Sequence, residues 1–189
     1  MPDPYHLFDT AIGACGVAWS ADGLTRLQLP EADRAATERR LRARQHGAAP
    51  ADPSPQMNQA IGDIQSYLSG ERIDFSAVAL DLQRASPFDR KVYEAARHIP
   101  WGETTSYGEL ARRAGCPGEA REVGQALSRN PVAIIIPCHR ILAKGGKLGG
   151  FSAYGGTLTK EQLLALEGVD LQGDAPLLPG LLPLRERRR

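Results

Sequence analysis

Apolar residues in the first thirty positions fall into short runs broken by glycine. Tyr5 to Ile12 and Cys15 to Trp19 are β-compatible and separated by Gly13, and Ala21-Asp22-Gly23 marks a turn before Leu24, Leu27 and Leu29 resume a strand. The pattern predicts a small antiparallel meander. Asp33 is placed to cap a charged helix over 34–45. Residues 47–55, rich in Ala, Pro and Gly, read as a loop. Met57, Ile61, Ile64 and Leu68 then recur at helical spacing, with Asp63 and Gln65 facing away and Gly70 closing the helix. Val78, Leu80 and Leu82 alternate with small or polar residues, as in a strand.

A second unit begins near Ser86-Pro87. It opens a helix with Phe88, Val92, Ala95, Ala96 and Ile99 on one face, ended by Pro100-Trp101-Gly102. Thr105 or Ser106 caps a short helix through Leu110 to Ala114, Gly115-Cys116-Pro117-Gly118 makes a turn, and a third helix over 119–128 packs Val123, Ala126 and Leu127. Two short helices joined by a glycine turn fit a helix-turn-helix, whose second helix enters a nucleic-acid groove. Packed helix pairs that never meet DNA share this pattern. Ala120, Gly124 and Ala126 keep the third helix small, and Gly124 costs about 1 kcal/mol relative to alanine inside a helix. That cost suits close approach to a backbone. Arg121, near the start of the helix, is either a solvated charge or directed at nucleic acid.

The apolar run Val132 to Ile136 reads as a short buried strand ended by Pro137, which offers no N–H to a ladder. Cys138, His139 and Arg140 follow at once. Residues 142–148 read as a hairpin with Lys144 and Lys147 at its tip, suited to phosphate contact. Residues 149–156 are glycine-rich, but they match neither phosphate-binding spacing, GxxxxGK[ST] or GxGxxG. Thr159 is placed to cap a last helix over 160–167, and residues 171–189 read as an appended tail ending in Arg-Glu-Arg-Arg-Arg.

Composition narrows the classes. The 189 residues, 42% apolar and 24% charged, suit one sizeable or two small globular domains. No run approaches the roughly 18 apolar residues of a membrane span, and no secretory leader is evident. Three cysteines, Cys15, Cys116 and Cys138, make a set too sparse and odd for a disulfide framework, which points to a reducing, cytoplasmic setting. Net charge is +1 but uneven: residues 84–150 carry 11 Lys/Arg against 6 Asp/Glu, and residues 1–83 carry 7 against 11. The basic middle segment suggests a face for anions. His6, Cys15, His46 and His98 lack paired metal-ligand spacing, so no metal is expected.

Cys138 taken alone reads as a small buried apolar residue. Its neighbours change that. Ile136-Pro137-Cys138-His139-Arg140 resembles the active-site signature of the O6-alkylguanine-DNA alkyltransferases. The likeness continues through Ser86-Pro87-Phe88, Ile99-Pro100-Trp101-Gly102, Thr105-Ser106-Tyr107, Arg121-Glu122-Val123-Gly124, Asn130-Pro131, the 149–156 loop and Leu163 to Gly168. It is strong over about 86–168 and only an outline before that.

The resemblance implies an α+β chain. An N-terminal α/β domain, antiparallel sheet with helices (1–84), precedes a mainly helical winged helix-turn-helix domain (85–170) and the tail (171–189). It implies irreversible, single-turnover transfer of an alkyl group from guanine O6, and from thymine O4, to Cys138 after base flipping. His139 would deprotonate the thiol through a water, with Glu167 holding the imidazole. Tyr107 would contact the guanine, and Asn130 would brace the site. Arg121 would fill the space of the flipped nucleotide, with Ala120, Gly124, Arg140 and Lys144 also at the DNA. Ile141, Phe151, Ser152 and Tyr154 would line the substrate pocket. No cofactor is implied. The partner is duplex DNA carrying O6-alkylguanine, with no membrane, no obligate protein partner and a monomeric state. Two rivals stand beside this reading: a non-enzymatic alkyl-DNA sensor of the same fold, which would lack the acceptor cysteine, and a cysteine hydrolase built on Cys, His and Glu.

Overall fold

The computed structural model describes residues 3–45, 48–169 and 171. Strands β1 (Pro4–Thr10), β2 (Gly13–Ser20) and β3 (Gly23–Gln28) form the expected antiparallel meander. The pair Ala49–Pro50 forms β4 and joins β1 in parallel, where the composition suggests only loop. The sheet order is β3-β2-β1-β4. One face carries α1 (Arg34–Ala43), whose Asp33 cap accepts from the Ala36 N–H at 2.6 Å. Gly16 lets that helix close on the sheet, because a Cβ there would stand 2.8 Å from the Leu41 and Leu7 side chains. The other face packs on α2 (Pro55–Leu68), capped by Ser54. Its apolar stripe, Met57, Ile61, Ile64 and Leu68, is buried as the spacing predicts.

That second face merges with the core of the C-terminal half. Helix α3 (Pro87–Arg97), capped by Ser86, crosses α4 (Tyr107–Arg113) and α5 (Ala120–Ser128). Ser106 caps α4, and Gly115 and Gly118 take positive φ in the turn between α4 and α5, so the helix-turn-helix is present. Helix α6 (Thr157–Leu166) closes the chain against the segment that carries Cys138. Among the described residues, no helix is long and apolar enough to cross a membrane.

Four local expectations are corrected. Val132 and the three isoleucines 134–136 are buried but form no strand: the run is a tight turn, with the Ile136 N–H bonded to the Val132 carbonyl at 2.9 Å. Continuous apolarity marks burial, and burial does not require a ladder. The 78–82 segment likewise makes one bridge, Leu80 with Leu24, along the open edge of β3. The expected hairpin at 142–148 is instead strand β6 (Ile141–Leu142), paired in parallel with β5 (Thr105–Ser106), followed by a short 3₁₀ turn at Lys144–Gly146. Thr159 does not cap α6. Its hydroxyl donates to the Tyr154 carbonyl at 2.5 Å, and Gly156 sits at the cap. Of the tail expected over 171–189, residues 172–189 lie outside the described residues.

The edge of β3 also sets the position of the site. The Leu27 N–H donates to the Pro131 carbonyl at 3.0 Å, and Leu27 bridges Val132. The turn that leads to Cys138 is thus pinned to the N-terminal sheet.

Candidate active site

Asn130 organises this turn. Its side-chain amide donates to the Ile136 carbonyl at 2.8 Å, and its side-chain oxygen accepts from the Val132 N–H at 2.9 Å. Between them Ile134, 1% exposed, holds φ at 73°. A β-branched residue in the left-handed region is strained, and such strain persists where surrounding contacts over-determine it. Pro137 then leads into a 3₁₀ turn at Cys138–Arg140. The sequence suggests a reactive residue mounted on a strand end. The mount is a braced, strained turn.

His139 is fully buried. Its Nε2 lies 2.7 Å from Glu167 Oε1, at the C-terminal end of α6. Glu167 accepts three further side-chain hydrogen bonds. Tyr67 of α2 donates at 2.6 Å, and Arg140 Nε and Nη2 each donate at 2.9 Å. The Gly102 N–H adds a contact at 3.2 Å. Burial raises the Glu167 pKa, but hydrogen bonds from His139, Arg140 and Tyr67 outweigh it and hold the carboxyl at about 2. Burial lowers the His139 pKa, and this outweighs the opposing pull of Glu167, so the ring is neutral near pH 7. With Nε2–H donating to Glu167, Nδ1 carries the lone pair. That atom is buried with no protein partner.

The resemblance places Arg140 at the DNA. The structure buries it, 7% exposed, clamped to Glu167 and donating through Nη1 to the Ile99 carbonyl at 2.5 Å. It works inside the protein because the 3₁₀ turn points consecutive side chains around the axis rather than to two faces.

Cys138 is partly exposed and sits at one wall of a cavity of ≈ 510 Å³. Tyr107, Ala120, Arg121, Gly124, Phe151 and Ser152 are also at its walls, six residues singled out from the sequence. Gly149 passes so close to Tyr107 that a Cβ would stand 2.8 Å from the hydroxyl. Tyr154 and Lys144 are exposed and are not at these walls. Ile141 is buried, and its carbonyl accepts from Lys160 Nζ at 2.5 Å. Lys144 lies in the short turn after β6, away from the position a hairpin wing would give it.

Burial raises the pKa of the Cys138 thiol, while Asn130 and the Lys160 ammonium pull it down. Burial lowers the Lys160 pKa, and Cys138 pulls it back up. By contrast, fully buried Cys15 is pushed up to about 12 by desolvation, which makes it an inert thiol. Lys160 and Tyr67 are residues of the candidate site that sequence reasoning misses. A lysine inside a leucine-rich helix and a tyrosine on a helix stripe look like a solvated charge and a core residue. Their partners lie 19 and 100 positions away. Among the described residues, no three His, Cys, Asp or Glu side chains gather to hold a metal.

Fold and site together define a class: a helix-turn-helix protein that holds a cysteine, flanked by an imidazole–carboxylate pair, in a cavity beside its second helix. Comparison with known proteins sharpens this. Residues 4–82 match the family model of the 6-O-methylguanine DNA methyltransferase ribonuclease-like domain, and residues 87–169 match that of the DNA-binding domain. The chain is 39% identical over 173 residues to the methylated-DNA–protein-cysteine methyltransferase of Mycobacterium bovis, covering 92% of this chain and 97% of that one. It is 50% identical over 109 residues to the protein of the same name from Mycolicibacterium paratuberculosis, covering 57% of this chain and 63% of that one. The crystal structure of Mycobacterium tuberculosis OGT in complex with DNA superposes with a TM-score of 0.71 at 38% identity, covering 87% of this chain and 92% of that one. The chain belongs to the O6-methylguanine DNA methyltransferase family.

Proposed function

We propose that this chain repairs duplex DNA by moving an alkyl group from guanine O6 to the sulfur of Cys138, once per molecule. One observation carries the assignment: Cys138 shares a ≈ 510 Å³ cavity with Tyr107 and with Arg121 and Gly124 of the second helix of the helix-turn-helix. A stacked base cannot present its alkyl carbon to that sulfur, so the nucleotide must leave the duplex, at a cost of a few kcal/mol. Arg121 at the cavity mouth is the side chain that takes its place.

The chemistry follows from the charges. A thiol is a poor nucleophile toward an O-alkyl carbon, and a thiolate is a good one. At rest the raised pKa keeps Cys138 protonated. His139 is neutral, held by Glu167 through Nε2, with Nδ1 free to accept a proton through water. Asn130 and Lys160 favour the thiolate that results. The sulfur forms its bond to the alkyl carbon while the C–O6 bond breaks. The Tyr107 hydroxyl assists departure of the base. Tyr107 has a raised pKa, first from burial and then from Cys138, so it stays a donor near pH 7. Phe151 and Ser152 bound the lesion.

The transfer is redox-neutral and calls for no cofactor. The thioether product has no hydrolytic exit, which makes the reaction single-turnover. Residues 85–170 carry the chemistry, and residues 1–84 support the Cys138 turn through β3. The protein acts as a monomer, in the cytoplasm. The sensor reading is disfavoured because the acceptor cysteine is present and at the wall of the cavity.

The test is incubation with a duplex containing O6-methylguanine, followed by peptide mass mapping. The Cys138 peptide gains one methyl group. No gain, or lesion removal by Cys138→Ala, rejects the assignment.

A further inference from the structure

Tyr67 comes to the site from the other half of the chain. It lies in the last turn of α2, within residues 4–82 of the ribonuclease-like match. Cys138, His139, Arg140, Lys160 and Glu167 all fall within the DNA-binding match at 87–169. The Tyr67 ring is fully buried and held on two sides. Trp101 meets it edge-on, at 81° with 5.2 Å between ring centres, and Phe75 lies tilted at 5.6 Å. Packing therefore fixes the hydroxyl among the charged groups behind Cys138.

Three donors converge there on a single oxygen. Glu167 Oε1 meets the Tyr67 hydroxyl at 2.6 Å, His139 Nε2 at 2.7 Å and Arg140 Nη2 at 2.9 Å. A carboxylate oxygen offers two lone pairs. Each donor is thus bound less tightly than it would be without the third. Oε2 meets only Arg140 Nε and the Gly102 N–H. The Tyr67 oxygen is also 3.2 Å from His139 Nε2, but that nitrogen, so close to a carboxylate, carries a proton of its own. The Tyr67 proton is therefore directed at Glu167. Burial, and then the charge of Glu167, raise the Tyr67 pKa, so the phenol stays a donor near pH 7.

We propose that Tyr67 is a positioning residue of the transfer: its hydroxyl occupies a lone pair of Glu167 Oε1 and so limits how far that carboxylate draws His139 toward the imidazolium. This role rests on the repair reading above and names a further residue for it. A base must be neutral to take the thiol proton. Around His139, α6 supplies Glu167 and Lys160, the 3₁₀ turn supplies Cys138 and Arg140, and α2 supplies Tyr67. Burial opposes the imidazolium most, Glu167 favours it, and the Arg140 and Lys160 charges oppose it. Tyr67 brings no charge. It acts by taking up the oxygen that His139 would otherwise hold more tightly. The N-terminal half thereby contributes a side chain to the site, beyond its backbone support of the Cys138 turn.

The test is Tyr67→Phe in the full chain, which removes the hydroxyl and keeps the ring contacts. Oε1 retains two donors, so no buried acceptor is left unpaired. At pH 7 the Nε2–H proton of His139, read by imidazole nitrogen–proton NMR, should move downfield as its bond to Glu167 tightens. The acid limb of methyl transfer from an O6-methylguanine duplex should move to higher pH, because the ring then protonates more readily. Phe75→Leu loosens the packing on Tyr67 but keeps the hydroxyl, and it should move neither signal. 3-Fluorotyrosine in place of Tyr67 is a more acidic phenol and a stronger donor. It should move both signals the opposite way, and it decides the matter if Tyr67→Phe does not fold. An unmoved Nε2–H signal, or an acid limb displaced to lower pH by Tyr67→Phe, overturns the inference. So does an equal displacement in Phe75→Leu, because packing and not the hydroxyl would then set the imidazole. A parent protein that takes up no methyl group rejects the repair reading, while the Nε2–H signal still judges the hold of Tyr67 on His139.

Discussion

Glu167 Oε1 lies 2.7 Å from His139 Nε2, and the same carboxylate is clamped by Arg140 through two bonds of 2.9 Å. The negative charge that orients the imidazole is therefore itself neutralised by a buried cation. This lets His139 remain a neutral base instead of an imidazolium paired to an acid. Glu167→Gln keeps the shape but leaves Arg140 buried and uncompensated. Removing one partner of a buried pair costs about 3–5 kcal/mol. A stability loss of that order is expected in urea titration, together with a transfer rate at least about tenfold lower at a temperature where the variant stays folded.

The same carboxylate sets an acid limit. Its folded pKa is about 2, below the ordinary value of 4.5, so the folded state binds its proton less readily than the unfolded chain. The stability it contributes is complete above about pH 4.5 and is lost as pH falls toward 2. His139 works in the same direction from a higher pH. Its folded pKa is lowered, so protonation on acidification opposes the fold and removes the base. Transfer rates should fall as pH drops below the ordinary imidazole range, before the protein unfolds. A rate that stays level on acidification until the protein itself unfolds would remove His139 from the proposed role.

Lys160 places a buried ammonium under the Ile141 carbonyl, 5.9 Å from the centre of the Tyr107 ring. It pulls the Cys138 pKa down against the effect of burial. Lys160→Met should therefore shift thiolate formation to higher pH, read as the pH dependence of Cys138 reaction with a small neutral electrophile. Repair at pH 7 should slow, because less of the thiol is then available as thiolate. A thiol titration that does not move would reduce Lys160 to a structural donor for Ile141.

The meander, the capped helices and the helix-turn-helix are legible in the sequence because local spacing decides them: alternation in β1–β3, the Met57–Leu68 stripe, and Ser54, Ser86 and Ser106 as caps. The site is legible where residues cluster by motif, as Asn130, Cys138, His139 and Glu167 do. The rest is decided by distant partners. The apolar run Val132 to Ile136 does not reveal a turn, since the hydrogen bond that shapes it comes from the Asn130 side chain. Arg140, placed at the DNA by the resemblance, is held inside by Glu167 from the end of α6.

Arg121 is exposed at the mouth of the cavity, at the first turn of α5. If it replaces the flipped nucleotide, Arg121→Ala should slow repair of O6-methylguanine in a duplex about tenfold or more, since unstacking a base costs a few kcal/mol. Reaction with free O6-benzylguanine, which needs no flipping, should change far less. Equal slowing on both substrates would remove the flipping role.

Gly149 and Gly150 offer a paired test of the cavity wall. A Cβ at Gly149 would meet the Tyr107 hydroxyl at 2.8 Å and its ring at 3.1 Å, whereas one at Gly150 would meet nothing within 4 Å. Tyr107 is the first residue of α4, and the other edge of its ring faces Gly124, where a Cβ would stand 3.7 Å from it. An added Cβ at Gly149 therefore has to displace the hydroxyl end of the ring. Gly149→Ala should slow transfer to both duplex and free-base substrates, by about tenfold for a hydroxyl displaced from the leaving group. Gly150→Ala should react as the parent does. Thermal melting should show the two variants close in stability, because both positions lie on a surface loop. If Gly150→Ala is as slow as Gly149→Ala, loop stiffness and not Tyr107 placement governs the rate.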